Sequence, residues 1–189
     1  EPMPVGDFNV AARMGHRPRH AAFSSDGATL FVLYEFDNVL TAHGFDVATG
    51  VVGPARSALP SFAYDPQSPP VGSFHAAAEV SLHRSGRVFA STRGIGPGFK
   101  WVEGQSFVRT FAGGGAHEAL TAVQDVAVAP NPRHFTFDKE QRWLIATATG
   151  GFSSHRVTDE GEIGPPTLSK LGGALAEMGI DCVALVEKA

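Results

Sequence analysis

The sequence predicts an all-β fold, a β-propeller of four-stranded antiparallel blades, with this chain supplying about half of the ring. Three observations predict it. A block made of an apolar strand, a polar turn and a second apolar strand occurs three times, its copies are almost evenly spaced, and no stretch sustains a helical period. The first copy is Arg19-His20-Ala21-Ala22-Phe23, then Ser24-Ser25-Asp26-Gly27, then Leu30-Phe31-Val32. The second is His75-Ala76-Ala77-Ala78-Glu79-Val80, then Ser85-Gly86-Arg87, then Val88-Phe89-Ala90. The third is Arg133-His134-Phe135-Thr136-Phe137-Asp138, followed by Arg142-Trp143-Leu144-Ile145-Ala146. From Gly27 to Gly86 is 59 positions, and from Gly86 to Gln141, the matching turn position, is 55. A four-stranded blade takes about 40–50 residues, so this period leaves room for added loops.

The elements follow in order. Residues 1–14 read as a strand of a preceding blade. A first blade spans 15–60, with two strands joined by the Ser25-Asp26-Gly27 hairpin, a third alternating run at 39–47 and a fourth strand nearer the rim. The connection at 61–73, beside Pro60 and carrying Pro66, Pro69 and Pro70, is long for a compact domain, and such loops often border binding sites. A second blade spans 74–130, its third run at 105–112, with the glycine-rich 94–98 and 113–115 as connections rather than phosphate loops. A third blade spans 131–172, with its third run at 151–157 and a hairpin at Asp159-Glu160-Gly161. The segment 171–178 is the best helical stretch, but Gly172, Gly173 and Gly179 limit it to about two turns. Residues 179–189 read as a strand of a following blade. Phe23, Phe31, Phe89, Phe135, Phe137 and Trp143 recur at equivalent strand positions, where one blade face packs on the next.

Composition narrows the function classes. Hydrophobic residues make up 43% of the chain, enough for a packed core, and 22 Gly with 13 Pro fit a fold rich in turns. A net charge of -4 without a basic cluster argues against nucleic acid. No run of eighteen apolar residues exists to span a membrane. The single cysteine, Cys182, has no internal disulfide partner, which points to a reducing compartment and a cytoplasmic location, with secretion left open. It lies in an apolar strand and reads as a small core residue. Closed propellers hold about four to eight blades, and an open one exposes raw sheet edges. The expectation is therefore a companion chain that closes the ring, either an N-terminal half or a second copy.

Gly15-His16-Arg17-Pro18-Arg19-His20-Ala21-Ala22-Phe23, followed by Asp26-Gly27 and Tyr34-Glu35, resembles the G-x-x-P-R-H-x-x-F … D-G … N-E pattern of the lactonase seven-bladed propellers. That family includes propeller-type 6-phosphogluconolactonases and carboxy-muconate cyclases. Ala77-Ala78-Glu79-Val80 with Ser85-Gly86-Arg87 and Ser91-Thr92-Arg93-Gly94 resembles its A-A-E-I … D-G-R … S-N-R-G block, and Asn131-Pro132-Arg133-His134-Phe135 its later P-R-x-F block. The motifs fall in family order and correspond to the C-terminal half of such a propeller. The resemblance implies that Arg19, Glu35 and Arg93 point into a central pocket as the catalytic set, with His20, Glu79 and Arg133 adjacent as substrate-binding candidates. Two positions depart from the pattern: Tyr34 and Thr92 stand where the family has asparagine. A histidine that the family contributes from its N-terminal half has no counterpart here.

The chemistry supports the same residues independently. A lactone or lactonising acid is an anionic ligand, or develops negative charge on its reacting carbonyl, and arginines from neighbouring blades suit both. Arg19 and Arg93 fit that role. Ring opening also needs a base or a proton donor, for which Glu35, set in the apolar run Phe31-Val32-Leu33-Tyr34-Glu35-Phe36, is the first candidate and Glu79 the second. The bland alternative is that Glu35 forms a structural pair with an arginine. No cofactor and no metal are expected, because Pro18 breaks the helical spacing that His16 and His20 would need. His75 and His83 share a strand face with no carboxylate nearby and read as structural. The resulting expectation is a sugar-lactone hydrolase resembling 6-phosphogluconolactonase, or part of one. The alternatives are carboxy-muconate lactonising chemistry and a non-catalytic propeller that serves as a binding or assembly module.

Overall fold

The computed structural model describes residues 17–63, 74–102, 104–115 and 118–170. The predicted strands at 1–14 and 179–189, the helical stretch at 171–178, Cys182, His16 and most of the 61–73 loop lie outside the described residues.

The fold is all-β. The first sheet holds β1 (Pro18–Phe23), β2 (Thr29–Tyr34), β3 (Val39–Phe45) and β4 (Val52–Pro60). The second holds β5 (Phe74–Leu82), β6 (Val88–Ile95), β7 (Phe107–Ala112) and β8 (Thr121–Ala127). The third holds β9 (Phe135–Phe137), β10 (Trp143–Ala148), β11 (Gly151–Val157) and β12 (Ile163–Lys170). Each is an antiparallel meander in chain order, so sheets and sequence repeats coincide. This is a partial β-propeller.

The turns are set by local chemistry. Gly27 and Gly86 take φ of 72° and 83°, the left-handed region that side chains avoid. In the third copy Gln141 takes the same place with φ 52°. It tolerates that conformation because it is tied across to the second sheet: its carbonyl accepts from His83 Nε2 at 2.8 Å and its side-chain oxygen accepts from the Arg84 N–H. Prolines collect on the rim strands, Pro54 and Pro60 in β4 and Pro165 and Pro166 in β12, where a missing N–H costs no ladder bond.

Two apolar clusters fill the spaces between sheets. Phe31, Leu33, Leu40 and Ala42 of the first sheet meet Ala77, Val80, Val88, Ala90 and Phe111 of the second. Phe89 and Val108 of the second meet Phe135, Leu144, Ala146 and Val157 of the third. Phe31, Phe89 and Phe135 are buried core, as expected. Phe23 and Trp143 are not, at 48% and 38% exposed. Phe23 lies at the end of β1, where Phe45 meets it edge-on at 4.9 Å, and Trp143 lies under the Arg156 guanidinium at 5.3 Å. No helix among the described residues is long and apolar enough to cross a membrane.

Candidate functional site

The first strand of each sheet begins, and the second ends, on one face of the molecule: Pro18 pairs with Tyr34, Phe74 with Ile95 and Phe135 with Ala146. Residues near these ends are brought together although roughly sixty positions separate them in sequence.

Two β-bulges shape this region. Pro18 pairs with Tyr34 but His20 pairs with Leu33, which leaves Arg19 as the extra residue of β1. In β5, Ala77 pairs with Thr92 and Val80 with Ala90, so Ala78 and Glu79 together oppose Ser91. A bulge re-aims a side chain and frees backbone groups that need new partners. Here the two bulges serve each other. The Arg19 guanidinium donates to the Ala78 carbonyl. The Glu79 N–H is satisfied by Ser91 Oγ at 3.0 Å, and that hydroxyl donates to the Pro132 carbonyl at 2.8 Å, reaching the segment before β9.

Glu35 sits one residue past β2. Its backbone bridges the first two sheets, its N–H to the Arg17 carbonyl and its carbonyl from the Ala77 N–H, both at 2.8 Å. Its carboxylate accepts from Arg93 Nη2 at 2.5 Å and lies 3.8 Å from Arg19 Nε. Arg93, on β6, is only 3% exposed, and its fork also reaches the Ala76 and Ala77 carbonyls, both at 3.3 Å. Arg93 is thus held by protein atoms on several sides. The Arg19 side chain is mostly covered, and its pKa is lowered by burial first and by Arg93 second; Glu35 and Glu79 oppose this shift while Arg133 adds to it. The guanidiniums of Arg93 and Arg133 and the carboxylates of Glu35 and Glu79 all act on Arg19 electrostatically.

A second cluster adjoins the first. Glu79, buried on β5, accepts from His20 Nδ1 at 2.7 Å and from the Val80 N–H at 3.0 Å. Its other oxygen lies 3.5 Å from His134 Nε2, contributed by the segment before β9. Arg19 Nη1 stands within hydrogen-bond reach of both ring nitrogens of His20, 3.4 Å from each.

All six sequence candidates, Arg19, His20, Glu35, Glu79, Arg93 and Arg133, therefore fall in one neighbourhood fed by three sheets. Sequence reasoning passed over His134 as a site residue. Its signal was the repeat itself, because Arg133-His134 stands in the third copy where Arg19-His20 stands in the first. Of the two departures, Thr92 ties the end of the first sheet to the second through a 3.0 Å contact with Ser61 Oγ, and Tyr34 is buried. His75 packs against Phe62 with the ring centroids 4.3 Å apart, and His83 is bonded to Ser85 Oγ and the Gln141 carbonyl. Among the described residues no group of His, Cys, Asp and Glu is arranged to hold a metal ion.

Comparison with solved structures supports the architecture. The chain is similar to a periplasmic gluconolactonase of Pseudomonas aeruginosa (TM-score 0.65, 19% identity), covering 85% of this chain and 41% of that one. It is also similar to a Lactobacillus plantarum protein (0.64, 21%; 84% of this chain, 41% of that one). A Bacteroides fragilis protein described as a candidate 6-phosphogluconolactonase matches with TM-score 0.63 at 17% identity, over 88% of this chain and 40% of that one. At such identities the likeness establishes the fold, and the chain spans about 40% of the length of these proteins. No curated protein matches the sequence significantly. Residues 5–158, however, match the family described as lactonase, 7-bladed beta-propeller. The chain belongs to that family.

Proposed function

We propose that this chain is the part of a lactone-hydrolysing enzyme that carries its anion-binding and carbonyl-activating groups, acting on a sugar lactone of the gluconolactone type. The observation that carries the reading is the Arg19–Glu35–Arg93 network at the junction of two blades, built on a bulge that aims Arg19 out of its strand. Hydrolysis places negative charge on the lactone carbonyl oxygen and leaves a carboxylate product. A guanidinium fixed before the reaction stabilises both without reorganising. Arg19 takes that task, with Arg133 adding positive potential. Arg93, buried against Glu35, positions the carboxylate that in turn steadies Arg19. The candidate base of the sequence reading, Glu35, becomes an anchor for two arginines. The family membership and the gluconolactonase of similar fold support the substrate class.

The chain covers about 40% of the length of propellers of similar fold, and the blades beyond it complete the ring around the site. The lone Cys182 favours a reducing compartment, although the periplasmic relative shows that the fold also works outside the cytoplasm. Carboxy-muconate lactonisation would use the same arginines. A non-catalytic binding module would keep the buried Arg93–Glu35 pair for structure alone. Proton release from δ-gluconolactone, followed in the intact protein at constant pH, separates these readings. Wild type is expected to exceed the spontaneous rate, and Arg19→Ala to lower kcat by about 10²–10³. A wild-type rate equal to the spontaneous one contradicts lactone hydrolysis.

A further inference from the structure

We propose that His20 is the proton-transferring group of this site, held for that task by Glu79 and, through Glu79, by His134. The inference rests on the lactone reading for its substrate and on geometry for its residues. His20 Nδ1 meets Glu79 Oε1 at 2.7 Å, and that oxygen already accepts the Val80 N–H. A carboxylate only accepts, so Nδ1 carries the proton and Nε2, which faces Arg19 Nη1 at 3.4 Å, is left as the ring's acceptor nitrogen. His134 Nε2, 3.5 Å from Oε2, steadies the second carboxylate oxygen. A base oriented by a third group is the arrangement that activates water in many hydrolases. Here the parts come from three consecutive sheets: β1, β5 and the segment before β9.

Exposure assigns the roles. The His20 side chain is 38% exposed, whereas Glu79 is 10% and His134 24%. His20 is thus the member that meets a ligand, and the other two are positioning residues. The charged groups facing the cluster are Arg19 on β1, Glu35 beyond β2, Arg93 on β6 and Arg133 before β9. Glu35 is taken up by the arginines, its carboxylate 2.5 Å from Arg93 Nη2 and 3.8 Å from Arg19 Nε.

The step balances. Nε2 takes a proton from water as the water oxygen bonds to the carbonyl carbon, and the carbonyl electron pair moves onto its oxygen against Arg19. The bond from that carbon to the ring oxygen then breaks, and the ring oxygen takes the proton back from His20. One water is consumed, a hydroxy acid forms, and Glu79 compensates the transient imidazolium charge.

The test measures the intact protein on δ-gluconolactone across pH. His20→Gln is expected to lower kcat by about 10²–10⁴ with KM little changed, and to remove the acid limb of the pH profile. His134→Ala is expected to lower kcat about tenfold and displace that limb, with His134→Gln restoring most of both, since it keeps a donor for Glu79. A His20→Gln enzyme that keeps the wild-type rate and limb, while Arg19→Ala is inactive, overturns the proposal and leaves the lactone reading standing. If wild type opens no lactone, that reading falls, and imidazole ¹⁵N shifts decide the arrangement alone. A single Nδ1–H tautomer of His20 that becomes mixed in Glu79→Gln supports it; a tautomer indifferent to Glu79→Gln overturns it.

Discussion

His43 and His155 occupy the same place in the first and third sheets, opposite Leu30 and Leu144. Both rings are fully buried. Each points Nδ1 at a glycine carbonyl of the rim strand, Gly53 at 3.0 Å and Gly164 at 3.1 Å, and Nε2 at a hydroxyl two residues earlier, Thr41 at 2.9 Å and Ser153 at 3.2 Å. The carbonyl fixes the proton on Nδ1, so the neutral ring satisfies every neighbour. Burial lowers the pKa of His155, against a smaller opposing effect from the Gly164 carbonyl, and burial lowers that of His75 likewise. The unfolded chain then binds protons that the folded chain refuses. Stability from His155 and His75 is fully present above the ordinary histidine value of about 6.5 and is lost as pH falls through the lowered folded value. The urea midpoint should be flat above about pH 7 and decline below about 6.5, and His155→Gln should weaken that decline and cost about 1–2 kcal/mol at neutral pH. An equal decline in the variant removes His155 from the account. The sequence held this motif as Thr41-Ala42-His43 and Ser153-Ser154-His155, but the second sheet breaks it. The register puts Thr110 opposite Phe89 in the matching place, and its hydroxyl is buried without a partner.

Strands and turns were the legible elements, because each rests on local chemistry: alternating apolar residues and left-handed turn positions at Gly27, Gly86 and Gln141. The bulges that aim Arg19 and Glu79 were not legible. A bulge is a property of pairing, and Arg19 becomes the extra residue only when Pro18 and His20 are set against Tyr34 and Leu33. The exposure of Phe23 and Trp143 was hidden for a related reason, since strand position alone does not say what covers the strand end. Contacts between sheets are also invisible in sequence. Gln124 of β8 extends the backbone pattern across a gap between sheets: its amide donates to the Ile163 carbonyl and accepts from the Ile163 N–H, both at 2.9 Å. One side chain thereby satisfies both polar groups of a rim residue in the next sheet. Gln124→Ala should cost about 1–2 kcal/mol in urea unfolding with an unchanged slope. An unaltered midpoint would mean that water replaces the amide without loss.

In the whole molecule, the sheet repeat and the site are one design. Each four-stranded sheet offers the start of its first strand and the end of its second to a common face, so a short ordered set of motifs delivers Arg19, Glu35, Glu79, Arg93, Arg133 and His134 to a single neighbourhood. The sequence carried this far because the motifs recur in register with the blades. It made Glu35 the first candidate for proton transfer, with a structural arginine pair as the alternative, and the assembled sheets put two arginines beside Glu35 and two histidines beside Glu79. A competing surface exists at the opposite end of the third sheet, where Arg142, Arg156, Val157, Thr158, Asp159 and Glu160 line an open cleft of mixed charge. The most direct measurement is a crystal structure of the intact protein with D-gluconate, the hydrolysis product. The account predicts the sugar acid at the face shared by the first strands, its carboxylate on Arg19 and within hydrogen-bond reach of His20 Nε2. Gluconate bound at the cleft beside the β11–β12 turn, with Arg19 and His20 untouched, would contradict it.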